Sequence, residues 1–147
     1  MDWGMKNRLS RIIRPETGRT VMLAVDHGYF LGPTSGLEDP GKTIEPLVKY
    51  ADCLMLTRGV LRSSVDTSVD VPIMLRVSGG TSVLGNLADE GTTVSIRDAI
   101  RMNVSGVAMS IFVGSDLERK SLLGLADLIS EAQEYGIPVL AVTAVGK

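Results

Sequence analysis

Acid, imidazole and glycine stand together as Asp26-His27-Gly28, directly after the apolar run Val21-Met22-Leu23-Ala24-Val25. His27 is the single histidine of the chain. Acid and imidazole here stand where a buried strand would stop, and in parallel α/β folds the chemistry sits at the carboxyl ends of strands. A turn would use the Asp and the Gly but has no use for the imidazole. Other apolar runs end in a similar way. Cys53-Leu54-Met55-Leu56 meets Thr57-Arg58-Gly59, and Val71-Pro72-Ile73-Met74-Leu75 meets Arg76-Val77-Ser78-Gly79-Gly80. Two more runs end at Gly114-Ser115 and at Thr143. Arginine in such a place serves anion binding or an ion pair, and Arg58 and Arg76 suit either. Thr57, Ser78 and Thr143 suit substrate contacts or rim hydrogen bonds. Gly79-Gly80 lets a backbone approach a ligand, or makes a turn. The candidate site is therefore Asp26 and His27 for catalysis, with Thr57, Arg76, Ser78, Gly79, Gly80 and Thr143 for substrate binding. No metal ligands are assigned.

Strands must position these residues, because unalternating apolar runs read as parallel strands buried on both faces. Between them lie helical stripes. Met5, Leu9, Ile12 and Ile13 define a helix over residues 5–13. A helix begins near Asp39-Pro40 or Thr43 and runs to Tyr50, with Ile44, Leu47 and Val48 inward; Pro46 favours the Thr43 start. A short helix covers residues 59–64. Ser95 opens another as a capping box with Asp98, with Ile96, Ala99 and Ile100 inward and Asn103 closing it. Ser115 or Asp116 caps the longest, which ends at Tyr135 and carries Leu122, Leu125, Ala126, Ile129 and Ala132 as its stripe. The fourth strand is residues 106–113 and the fifth 138–142. The connection over residues 29–41 is long enough to be functional or merely mobile.

Strand–helix alternation means a parallel sheet, open or closed into a barrel. No G-x-G-x-x-G follows the first strand, which counts against a dinucleotide fold. Polar residues end every strand, and a barrel brings all such ends to one rim. The reading is α/β, a (β/α)8 TIM barrel of which residues 1–147 supply about five strands as a single domain. A whole barrel needs about 250 residues.

Composition sets limits. With 44% hydrophobic and 22% charged residues the chain is of the globular type. A net charge of −2 without a basic stripe argues against nucleic acid as a partner. No apolar run reaches the ~18 residues of a membrane span, and the N-terminus has no secretory apolar core. The single cysteine, Cys53, lies in an apolar run and reads as a buried inert thiol. The expected location is cytoplasmic.

The segments AVDHGYFLGP, LMLTRGVLRS, LRVSGGTS and AVTAVGK, in this order, resemble the class I aldolases of the archaeal type, the DeoC-like group. The opening DWGMKNRLSRI and the closing AVTAVGK are most similar to its thiolase branch. The resemblance implies a Schiff-base lysine near the end of a sixth strand, with the strand-one acid, here Asp26, beside it to help proton transfer and His27 adjacent. It implies a phosphate site in the loops after strands seven and eight. In the thiolase branch an acetyl group passes from a phosphorylated pentanedione to coenzyme A, a co-substrate and not a bound cofactor, leaving a triose phosphate. True aldolases of the family carry a tyrosine after strand five, where this chain has Thr143-Ala144-Val145-Gly146. That favours the thiolase over a fructose-bisphosphate aldolase. The substrate is then a small phosphorylated ketone. Lys147 reads as a solvated loop lysine, so the chain by itself is expected to be inactive. A non-catalytic half-barrel is the alternative. Open sheet edges make marginal stability, aggregation or self-association the expectation for these residues alone, and a homo-oligomer is the expected state of the enzyme.

Overall fold

The computed structural model describes every residue except Pro33, Ser82, Val83, Gly146 and Lys147. The Lys147 reading therefore lies outside the described residues. Helix α1 (Trp3–Ile12) leads into strand β1 (Met22–Ala24) and the single-turn helix α2 (Gly28–Leu31). Helix α3 (Pro40–Leu47) tightens into a 3-10 turn (Val48–Tyr50) before β2 (Cys53–Thr57) and α4 (Arg58–Ser64). Strand β3 (Ile73–Arg76) precedes a short pair, β4 (Ser78–Gly79) and β5 (Gly91–Thr92). Helix α5 (Ile96–Arg101), β6 (Gly106–Val113), α6 (Glu118–Glu134) and β7 (Val139–Val145) complete the order.

The main sheet runs β1-β2-β3-β6-β7, and each neighbouring pair is parallel. Spatial order equals chain order, as in a barrel wall and unlike a doubly wound sheet. The small β4–β5 pair is antiparallel, with Ser78 opposite Thr92. Residue parity divides the sheet into two faces. One face packs Leu54, Leu56, Leu75, Val107 and Met109 against Ile96, Ala99, Leu128 and Ala132 of the helices. The other gathers Cys53, Met74 and Ala108 with Met22, Met55, Leu140 and Val142. Ile12 of α1 packs into this inner cluster, so α1 covers the amino ends of the strands.

Several details differ from the sequence reading. β1 lies at a sheet edge, so Val21 and Ala24 are exposed instead of buried on both faces. Helix α1 starts two residues earlier than expected, because the Asp2 side chain accepts from the Met5 N–H at 2.7 Å. Helix α3 starts at Pro40, not Thr43: Pro40 takes the first turn, Asp39 caps it, and Pro46 is tolerated inside. Leu47 and Ile100 lie outward, 41% and 40% exposed, leaving Ile44, Ile96 and Ala99 as the buried positions. Ser95 does cap α5, accepting from the Asp98 N–H at 3.2 Å. Asp98 pairs with Arg58 instead of closing the box. Asn103 adopts φ 53° just past α5, the left-handed closure expected of it. Helix α6 begins at Glu118 without a side-chain cap, because Ser115 instead accepts from the Leu117 N–H in the preceding turn. Its inward line is Ser121, Leu125, Leu128 and Ala132, while Leu122 and Ala126 face outward. β7 extends to Val145, three residues beyond the expected end.

Candidate active site

β1 ends at Ala24, but the Val25 N–H still donates to the Met55 carbonyl at 2.8 Å. That bond holds the chain against β2 one residue further, and Asp26 then falls on the inner face. Arg76 ends β3 on the same face, opposite Thr57 and Ala108. Its Nε donates to Asp26 Oδ2 at 2.8 Å, and both side chains are 5% exposed. One arm of the guanidinium donates to Ser110 Oγ at 2.8 Å, and the Ser110 N–H donates to Ser78 Oγ at 3.1 Å. The guanidinium carbon also lies 5.3 Å from the centre of the Tyr29 ring. Such stacking suits a weakly hydrated planar cation.

The cluster continues past Arg76. The Tyr29 hydroxyl donates to Glu90 Oε1 at 2.6 Å and lies 3.2 Å from Ser110 Oγ. Since Tyr29 spends its proton on Glu90 and Ser110 accepts from Arg76, the Ser110 hydroxyl donates to Tyr29. Donation thus runs in one direction, from guanidinium through serine and tyrosine to carboxylate. Burial first, and then the bond to Glu90, pushes the Tyr29 phenol up to about 12. Tyr29 therefore stays a neutral donor at neutral pH. Glu90 is 7% exposed, and its second oxygen, Oε2, has no partner among the described residues. Among the described residues Asp26, Arg76 and Glu90 are the buried charged side chains, and one network joins all three.

This network borders a cavity of about 380 Å³. Asp26, His27, Arg76, Glu90 and Ser110 line one side; Met55, Phe112, Val142 and Ala144 form an apolar wall. His27 is half-buried at the start of α2 and makes no capping bond there. A smaller cavity of about 200 Å³ shares Tyr29 and Arg76 and adds Thr57, Arg58, Ser78, Gly79 and Gly80. A cavity of about 380 Å³ at the amino ends of the strands, beside Arg11, Leu61 and Met102, contains none of the buried charges.

Of the residues singled out from sequence, Asp26, His27 and Arg76 share the larger cavity, and Thr57, Ser78, Gly79 and Gly80 the smaller. Four of the rim residues have structural work instead of an open face. Thr57 caps α4, accepting from the Val60 N–H at 3.3 Å. Ser78 is spent on Ser110. Gly79 makes room for Tyr29, whose ring would lie 3.3 Å from an added Cβ. Gly80 turns the chain at φ 95°. Arg58 forms an ion pair with Asp98 at 3.2 Å. Thr143 is the one candidate on the wrong face. It pairs with Ile111 inside β7, shares that residue's helix-side parity and is exposed, while Val142 and Ala144 take the inner face. Tyr29, Glu90 and Ser110 were missed. Only Ser110 carried a signal, a polar residue in the middle of an apolar strand.

Five parallel strands in chain order, with buried charges at their carboxyl ends, match part of a (β/α)8 barrel. Residues 20–147 match the DeoC/LacD family aldolase description. All 147 residues align at 50% identity with a 3-hydroxy-5-phosphonooxypentane-2,4-dione thiolase of Enterobacter sp. (strain 638), and at 49% with one of Photorhabdus laumondii subsp. laumondii. The chain spans half the length of each. A Schiff-base-forming fructose-1,6-bisphosphate aldolase superposes with a TM-score of 0.79 at 26% identity, over 97% of this chain and 59% of its own. The chain therefore belongs to the DeoC/LacD aldolase family. Among the described residues no helix is long and apolar enough to cross a membrane. None of their His, Cys, Asp and Glu side chains gather in threes around a potential metal position.

Proposed function

We propose that these residues form the first part of the barrel of a class I thiolase that transfers an acetyl group from 3-hydroxy-5-phosphonooxypentane-2,4-dione to coenzyme A. The observation that carries this reading is the 50% identity to such a thiolase across every residue of the chain. The site is compatible with it. The C2–C3 bond of the dione breaks, the coenzyme A sulfur takes the acetyl group as its thiol loses a proton, and C3 gains a proton in the triose phosphate that leaves. Asp26, oriented by Arg76, is the group assigned to that proton, and His27 stands beside it on the cavity. The family's Schiff-base lysine belongs to a later strand of the barrel, and the cavity beside Asp26 is where the substrate ketone would meet it. The segment Thr143-Ala144-Val145, where the resemblance puts a tyrosine in true aldolases of the family, brings Ala144 and no aromatic side chain to the cavity. Coenzyme A acts as a co-substrate, with no bound cofactor, and the enzyme is assigned to the cytoplasm as a homo-oligomer.

The test is an assay of the full-length protein on two substrates. Acetyl-coenzyme A should form from the dione and coenzyme A, with little cleavage of fructose 1,6-bisphosphate. Efficient cleavage of the bisphosphate with no dependence on coenzyme A would replace this reading with a fructose-bisphosphate aldolase.

A further inference from the structure

We propose that Glu90 reads the hydroxyl group of the substrate, accepting its hydrogen bond at Oε2. The inference rests on the thiolase reading and adds a specificity residue to it. Glu90 lies just before β5, on the excursion between the two short strands, and faces the same cavity as Asp26. Its Oε1 is held by Tyr29 at 2.6 Å, while Oε2 is buried and has no partner among the described residues. A buried carboxylate oxygen without a donor is costly, and native proteins seldom keep one without a use. Among the described residues no N–H of Arg76 reaches Oε2: its Nε donates to Asp26 and one terminal nitrogen to Ser110. Tyr29 cannot supply the donor: its one proton is on Oε1.

Glu90 lines the cavity, so an O–H or N–H group of a molecule entering it can supply the bond to Oε2. The proposed substrate carries one alcohol, on C3. That carbon keeps its hydroxyl after cleavage, as the hydroxymethyl group of the triose phosphate. A carbonyl or a phosphate oxygen would be repelled by Oε2, whereas an alcohol satisfies it. Glu90 then fixes the substrate about its C3–O bond, and Asp26, on the same cavity, stands where the proton for C3 is needed.

The experiment uses the full-length protein and two ligands measured by calorimetry, dihydroxyacetone phosphate and its deoxy analogue acetol phosphate. The wild type should bind the hydroxylated ligand at least about tenfold more tightly, since a hydrogen bond to a charged group is involved. In Glu90→Leu the ratio should fall to within about twofold of unity, through weaker binding of the hydroxylated ligand alone. Leu fills similar space, and Tyr29 keeps Ser110 as a partner. Glu90→Gln should give an intermediate ratio, because Tyr29 retains the amide oxygen and the NH2 group replaces the acceptor. The ratio of two affinities on one sample does not depend on the fraction folded, so partial unfolding of a variant leaves the result readable. An unchanged ratio in Glu90→Leu, or a wild type that binds both ligands equally or neither, would overturn the assignment. Acetyl-coenzyme A formation by the same wild-type sample reports separately on the thiolase reading. Turnover with an unchanged ratio removes Glu90 alone; the hydroxyl preference without turnover removes the reaction and leaves the contact.

Discussion

Asp26 and Arg76 form a buried ion pair on the candidate site. A buried ion pair is a weak source of net stability, but breaking one by removing a single partner costs about 3–5 kcal/mol. The pair therefore does more to hold Asp26 in one position than to hold the fold together. Both residues were legible as polar breaks after apolar runs. Their partners Tyr29 and Glu90 were not, since they lie 61 positions apart and meet only through the turn at Gly79-Gly80 and the β4–β5 pair. Tyr29 also gives the residue scale its pH dependence. Its phenol is raised from 10.0 to about 12 in the fold. Below pH 10 both folded and unfolded chains hold the proton, and the stabilisation is complete. Between pH 10 and 12 the unfolded chain loses the proton while the folded one keeps it, so stability falls as pH rises. The advantage of wild type over Tyr29→Phe in urea unfolding, present at pH 8, should narrow across that window. A gap that stays constant from pH 8 to 12 would contradict the buried neutral phenol.

Elements were read well where local chemistry decides them. Ser95, Asn103 and the run Gly106–Val113 gave α5 and β6 their limits. The reading failed where a polar residue was taken for an end. Thr143 looks like a strand terminus, yet Thr143-Ala144-Val145 is β-compatible and pairs with Ile111, Phe112 and Val113, so β7 continues. The stripe of α6 keeps the expected Leu125 and Ala132 but runs through Ser121 and Leu128 instead of Leu122 and Ile129, because apolar residues are frequent on both sides of it and only the sheet decides which line is buried. Cys53 behaves as read: fully buried, its thiol is pushed up to about 11 by burial. Helix α3 retains a defect, since Pro46 lies in its interior, is exposed and offers no N–H to the Lys42 carbonyl. Pro46→Ala should raise stability by about 1–2 kcal/mol, the restored helical bond outweighing the freer unfolded chain. Urea unfolding of the full-length variant measures it, and a loss of stability would mean that the proline is needed for the tightening into the 3-10 turn.

At the scale of the whole molecule, the alternation of strands and helices and the polar strand ends were enough to choose a barrel over a doubly wound sheet, and the sheet order agrees. The rim, by contrast, was over-read: a barrel collects all strand ends in one region, but side-chain parity decides which of them face the cavity. Among the described residues β1 and β7 each have one neighbouring strand, and the lysines Lys6, Lys42, Lys49 and Lys120 all lie on helices. A polypeptide limited to residues 1–147 should therefore trap no ketone phosphate on borohydride reduction, and should self-associate on size exclusion. A stoichiometric reduced adduct by intact mass would contradict this. The central claim is that Asp26, held by Arg76, moves the proton in acetyl transfer. Its most direct test is Asp26→Asn in the full-length enzyme, where the amide keeps the acceptor for Arg76 but cannot take a proton. The expected result is a fall in kcat of about 10²–10⁴ with KM close to wild type, in an enzyme that still folds but melts at a lower temperature because Arg76 loses its buried counter-charge. A folded Asp26→Asn enzyme that forms acetyl-coenzyme A at the wild-type rate would contradict it.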